Sequence, residues 1–127
     1  MSKWIYYNPN PDGKSVGDCT VRAISAVCNM DWDHAYLELV VQGLIMHDMP
    51  DGNGVLGAYL ARNGFTRYII PNTCPDCYSV SEFCKDHQKG VFVVATGTHV
   101  VAVIDGYYYD AWDSGSVIPA YYWERRT

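Results

Sequence analysis

The sequence predicts a single α+β domain, with N-terminal helices packed on a C-terminal antiparallel sheet. Three observations lead there. Segments with helical spacing of apolar residues occupy most of the chain up to about residue 87. Short apolar runs separated by turn residues follow them. Aromatic residues crowd the last fifth, at Tyr107–Tyr109, Trp112 and Tyr121–Trp123, where they favour strands. A chain of 127 residues suits one domain, and 49% hydrophobic residues can supply its core.

The elements follow in order. Asn8-Pro9-Asn10-Pro11-Asp12-Gly13 is a turn-rich entry segment. A first helix is expected from about Asp18 to Asn29. Arg22, Ser25 and Asn29 form its polar stripe, and the other positions are apolar, so most of its surface should be buried. A second helix fits Asp31 to about Met46, with Trp32, Tyr36, Leu39, Val40 and Gly43 on one face. A third fits Gly54–Asn63, stopped by Gly64. Arg67–Ile70 reads as a short strand closed by Pro71. Ser79–His87 is a fourth helix, where Ser79 and Glu82 have the spacing of a capping box. Strands are expected at Val91–Ala95, His99–Ile104, Tyr107–Trp112 and roughly Ala120–Trp123.

Composition narrows the function. The net charge is -5 and Lys and Arg do not cluster, which argues against a nucleic-acid partner. No apolar run reaches spanning length, which argues against a membrane. The opening residues lack the apolar core of a signal peptide, and the five cysteines are odd in number. The expectation is reduced thiols in a cytoplasmic protein. His34 and His47 have no evident partner and should face solvent; Cys28 should belong to the core. Oligomeric state is not legible.

Two residues stand in settings suited to catalysis. Cys19 lies in Gly17-Asp18-Cys19-Thr20-Val21-Arg22-Ala23-Ile24-Ser25, at the first turn of the first helix. Unpaired backbone N–H groups there favour a thiolate. Asp18 before it reads as a helix cap, an anion that would work against that effect. His99 opens a strand whose return partner carries a carboxylate. Asp105-Gly106 is a two-residue hairpin signal, so Ile104 should face Tyr107, Val101 should face Asp110, and His99 should face Trp112. Asp110 is then the diagonal neighbour of His99, roughly 7–8 Å away between backbones and within side-chain reach. Asp113 points to the other face unless a bulge intervenes, and is the reserve acid. Trp112 would shield the His99–Asp110 hydrogen bond from water.

Cysteine on the first turn of a central helix, then histidine and aspartate on adjacent strands, resembles the papain-like cysteine peptidase superfamily. The Gly17–Ser25 segment is similar to the nucleophile helix of ovarian-tumour-type deubiquitinases. The segment around His99 and Asp110 is similar to C39-type bacterial peptidases, and the whole chain resembles small phage and Firmicutes proteins. The resemblance implies a papain-like domain over residues 1–127 that acts as a cysteine-dependent peptidase or isopeptidase. Its catalytic residues would be Cys19, His99 and Asp110, its substrate a protein or peptide, and it would need no cofactor. Papain-like peptidases usually carry a glutamine six residues before the cysteine; here that residue is Gly13. Asn8, Asn10 or Lys14 would then supply an oxyanion donor beside the Cys19 N–H.

Other readings stay open. Cysteine is often buried for packing alone, and His99 could be a core histidine. Cys74-Pro75-Asp76-Cys77 between a strand and a helix has the local context of a thiol–disulfide oxidoreductase. Cys74, Cys77, Cys84 and His87 have the spacing of a zinc set. A catalytically inactive protein-binding module on the same fold is the non-enzymatic alternative.

Overall fold

The computed structural model describes residues 2–126. Its elements are β1 (Trp4–Tyr6), α1 (Cys19–Val27), α2 (Trp32–Met46), α3 (Asn53–Arg62), β2 (Phe65–Ile69), α4 (Val80–Asp86), β3 (Val91–Ala95), β4 (Val100–Ile104), β5 (Tyr107–Asp110) and β6 (Tyr121–Arg125). The strands form one sheet in the order β1-β5-β4-β3-β6-β2. The α+β class agrees with the sequence, as does the element order from α1 onward. Among the described residues, no helix is long and apolar enough to cross a membrane.

Local signals act as the sequence implies. Asp31 accepts from the His34 N–H at 2.8 Å and starts α2. Ser79 and Glu82 form a reciprocal capping box on α4. Asp105 and Gly106 take φ of 50° and 82°, the left-handed pair that a tight hairpin needs. The β4–β5 register is as expected, with Ile104 on Tyr107 and Ala102 on Tyr109. α1 ends earlier than expected, because Asn29 lies outside it with φ of 53°.

Two features differ from the sequence reading. The sheet is not wholly antiparallel: Trp4–Tyr6 pairs in parallel with Tyr108–Asp110. Three residues carry too little periodicity to announce a strand. The sheet is also covered on both faces. Val93, Ala95, Val100, Ala102 and Trp123 pack with α1, α2 and α3. Phe92, Val94, Val101, Val103 and Tyr108 pack with Val80, Phe83 and Cys84 of α4. Two-sided burial explains why Val91–Ala95 and Val100–Ile104 read as unbroken apolar runs instead of alternating ones.

Phe83 ties α4 to the sheet. It is fully buried, stacks on His87 at 3.8 Å between centroids, and meets Phe92 and Tyr122 edge-on. Replacing Phe83 with Ala is expected to cost roughly 3–5 kcal/mol in a chemical denaturation measurement.

Candidate functional site

α1 brings its first residue, Cys19, to one end of the sheet. His99 immediately precedes β4 and Asp110 ends β5, so both sit at that same rim. Strict alternation would send Asp110 to the α4 face with Val101. Its carboxylate, at the last position of β5, meets Arg22 on α1. The hydrogen bonds are specific. His99 Nε2 lies 2.7 Å from Asp110 Oδ2. The Cys19 thiol lies beside the His99 ring, close enough for each to shift the other's pKa, and with Nε2 engaged by Asp110 the ring nitrogen left to serve the thiol is Nδ1. The Trp112 ring lies 4.7 Å from the His99 ring, as the hairpin register implied.

Asp110 is completely buried and heavily supported. Its Oδ2 also accepts from Ser114 Oγ at 2.6 Å. Its Oδ1 accepts from the Ala111 N–H at 2.8 Å and meets Arg22 Nη2 at 2.9 Å. Its backbone carbonyl accepts from Trp4 Nε1 at 3.0 Å and from the Tyr7 N–H at 2.9 Å, so docked β1 holds it from behind. Asp113 accepts from the Tyr108 hydroxyl and the Gly115 N–H, with no bond to His99.

Asp18 does not cap α1. Its carboxylate takes Arg22 Nη1 at 2.5 Å and Trp32 Nε1 at 2.9 Å. The buried Arg22 thus links two buried carboxylates, Asp18 and Asp110. The sequence reading missed this role. Its signal was an acid and an arginine four residues apart in an otherwise apolar helix. With no side-chain cap, the first-turn amides of α1 remain available beside the thiol. Asn8, Asn10 and Lys14 bond within the entry turn. Asn8 Nδ2 donates to the Lys14 carbonyl, and Asn10 Oδ1 accepts from the Asp12 and Lys14 amides. These bonds fold the entry turn on itself, and none of the three residues lines the cleft of about 250 Å³ at Cys19. That cleft is bounded by Gly17, Thr20, Asp51, Thr98, His99 and Trp112.

Charge is distributed to favour a thiolate–imidazolium pair. Burial pushes the Cys19 thiol up. The bonds from His99 and the Val100 N–H, with the positive charges of His99 and Arg22, outweigh it and bring the pKa below 9.0. Burial alone would lower His99, but its bonds to Asp110 and Cys19 raise it from 6.5 to about 9. Asp110 is raised by burial and brought below 3.8 by its bonds from His99 and Ser114 and the charge of Arg22.

The other sequence candidates separate. Cys74 and Cys77 form a disulfide, which corrects the expectation of five reduced thiols; Cys19, Cys28 and Cys84 are free. A two-residue turn brings their Cα atoms to 4.2 Å, a closure too local to reveal itself as a framework. The zinc set is not assembled. Cys84 is fully buried, and burial holds its thiol protonated to about 12. His87 Nδ1 is bonded to the Phe83 carbonyl. Among the described residues, no cluster of three or more metal-ligating side chains occurs. Nor does the disulfide sit at a helix start: Tyr78 and Ser79 intervene before α4, and β2 is an antiparallel edge strand.

No protein-family model, curated protein or solved structure was found to match the chain.

Two outcomes are expected. Arg22→Met leaves two buried carboxylates without their cation and should cost roughly 3–5 kcal/mol in chemical denaturation. It should also slow iodoacetamide labelling of Cys19 at neutral pH. The second concerns stability against pH. The raised His99 contributes fully below 6.5, and this is lost as pH rises through about 9. The depressed Asp110 contributes above 3.8, and this is lost as pH falls through its lower native value. Denaturation midpoints should therefore plateau between these limits and fall on both sides; in His99→Gln the alkaline fall should shrink.

Proposed function

We propose that the chain is a cysteine-dependent amide hydrolase, a peptidase or isopeptidase of papain-like type acting on a protein or peptide. The observation that carries this reading is that Cys19 and His99 share one cleft and interact electrostatically, while His99 is hydrogen-bonded to the buried Asp110. A polarised thiol, a base in a fixed orientation and an acid that fixes it are the parts such chemistry needs.

In this mechanism the Cys19 thiolate attacks the scissile carbonyl carbon, and the π electrons move to oxygen. The Cys19 N–H and its first-turn neighbour face the developing oxyanion. As the tetrahedral species collapses, the C–N bond breaks and His99 Nδ1 gives its proton to the leaving amine. A thioester remains. His99, now neutral, takes a proton from water as the water oxygen attacks. Collapse expels the thiolate and releases the carboxylic acid. Asp110 stays ionised throughout, oriented by Arg22 and Ser114. A cytoplasmic setting goes with this reading for the nucleophilic thiol, and there the Cys74–Cys77 disulfide would be open to reduction.

The competing reading is a non-catalytic binding module. Its support is a row of exposed apolar side chains on α2: Leu37, Val41, Leu44 and Ile45. One experiment separates the two. A peptide bearing a thiol-reactive electrophile is incubated with the protein, and intact mass locates the adduct. Single labelling at Cys19 that His99→Ala slows at neutral pH supports the enzyme. A Cys19 no more reactive than Cys28 supports the module.

Cys19→Ala is expected to abolish hydrolysis of a peptide or isopeptide substrate while leaving the melting temperature nearly unchanged. Hydrolysis by the native chain should rise as Cys19 ionises below the ordinary thiol range. It should fall above about 9, where His99 no longer holds the proton the leaving amine needs. A rate that kept rising with pH would remove His99 from the proton-transfer role.

A further inference from the structure

A second depression adjoins the Cys19 cleft, between the start of α1 and α2, with a volume of about 210 Å³. Val16, Gly17, Asp18, Thr20 and Asp51 border both, so the two adjoin along a shared rim. Its far wall is apolar, built from Trp32, Tyr36, Val40 and Pro50. Trp32 and Tyr36 stack at 5.0 Å and 18°, giving that wall a flat aromatic surface. The Asp18 carboxylate at its base is taken up by Arg22 and Trp32, so no unpaired buried charge opposes an apolar occupant.

We infer that this depression receives one large apolar side chain of a polypeptide substrate, within a residue or two of the scissile carbonyl. The inference rests on the hydrolase reading above. Its volume is below that of pockets for whole drug-sized ligands, about 300–1,000 Å³, and suits a single side chain. The rim shared with the cleft sets the distance from the reacting carbon. The wall also extends past the depression. Trp32, Tyr36, Val40 and Leu44 recur every four residues and form one ridge along α2, on which Tyr36 is 46% and Leu44 70% exposed. A ridge of that length favours a polypeptide with an apolar stretch over a small amide.

The test uses the full chain and three probes: iodoacetamide, and two dipeptidyl vinyl sulfones differing only in Leu or Gly at a residue flanking the electrophile. Intact mass gives each rate of adduct formation at Cys19. The Leu probe should react roughly tenfold or more faster than the Gly probe. Val40→Arg, at a half-exposed position outside the triad, should bring that ratio toward one while leaving the iodoacetamide rate unchanged. Equal rates for the two peptidyl probes, with iodoacetamide still reacting rapidly, would overturn the pocket and leave the hydrolase reading standing. So would a Leu preference that survives Val40→Arg. A Cys19 sluggish toward iodoacetamide would overturn the hydrolase reading itself, and the pocket's role with it.

Discussion

The guanidinium of Arg22 lies buried between two carboxylates, and most of the site depends on it. Taking three charges out of water is costly unless each is paired and hydrogen-bonded. Here they are: Asp18 also holds the Trp32 indole N–H, and Asp110 also holds His99, Ser114 and a backbone amide. The network joins α2, α1 and β5 through a single side chain. It fixes the rotation of α1 about its axis, and with it the direction in which Cys19 faces. A hydrophobic replacement of similar size could pack α1 but could not set that angle.

The sheet supplies the complementary constraint. The Asp105–Gly106 turn fixes the β4–β5 register, and the register decides which carboxylate His99 meets. Docked β1 then binds the Asp110 carbonyl from the opposite side, through Trp4 and Tyr7. Asp110 is thus held at both ends, its side chain by α1 and its backbone by the N-terminal strand. The acid that orients His99 is among the most constrained groups in the molecule.

Much of this was legible in the sequence, for identifiable reasons. A two-residue turn admits one register, so Asp110 could be chosen over Asp113 by counting. Capping chemistry is local, so Ser79 and Glu82 announced α4. Other features depend on partners distant in sequence. Trp4–Tyr6 becomes a strand only by lying beside β5. Asp18 has the position of a cap, and only the approach of Trp32 and Arg22 gives it another use. Asn8, Asn10 and Lys14 offer side-chain donors near Cys19 in sequence, but the Asn8 amide and the Asn10 oxygen are used within the entry turn, and none of the three lines the cleft. Apolar runs told of burial without telling that both faces of the sheet were covered.

With Arg22 the smallest contributor, the lowering of the Cys19 pKa is mostly long-range. Its nearest sequence neighbour of consequence, Asp18, is neutralised by Arg22, and the groups that lower its pKa include His99 and Val100, from the other end of the chain. A ribosome-bound chain that has exposed only its helices therefore carries an ordinary, weakly nucleophilic thiol. The sulfur changes character when β4 and β5 close beneath α1. Its reactivity is accordingly a gauge of the finished tertiary structure, readable at one atom.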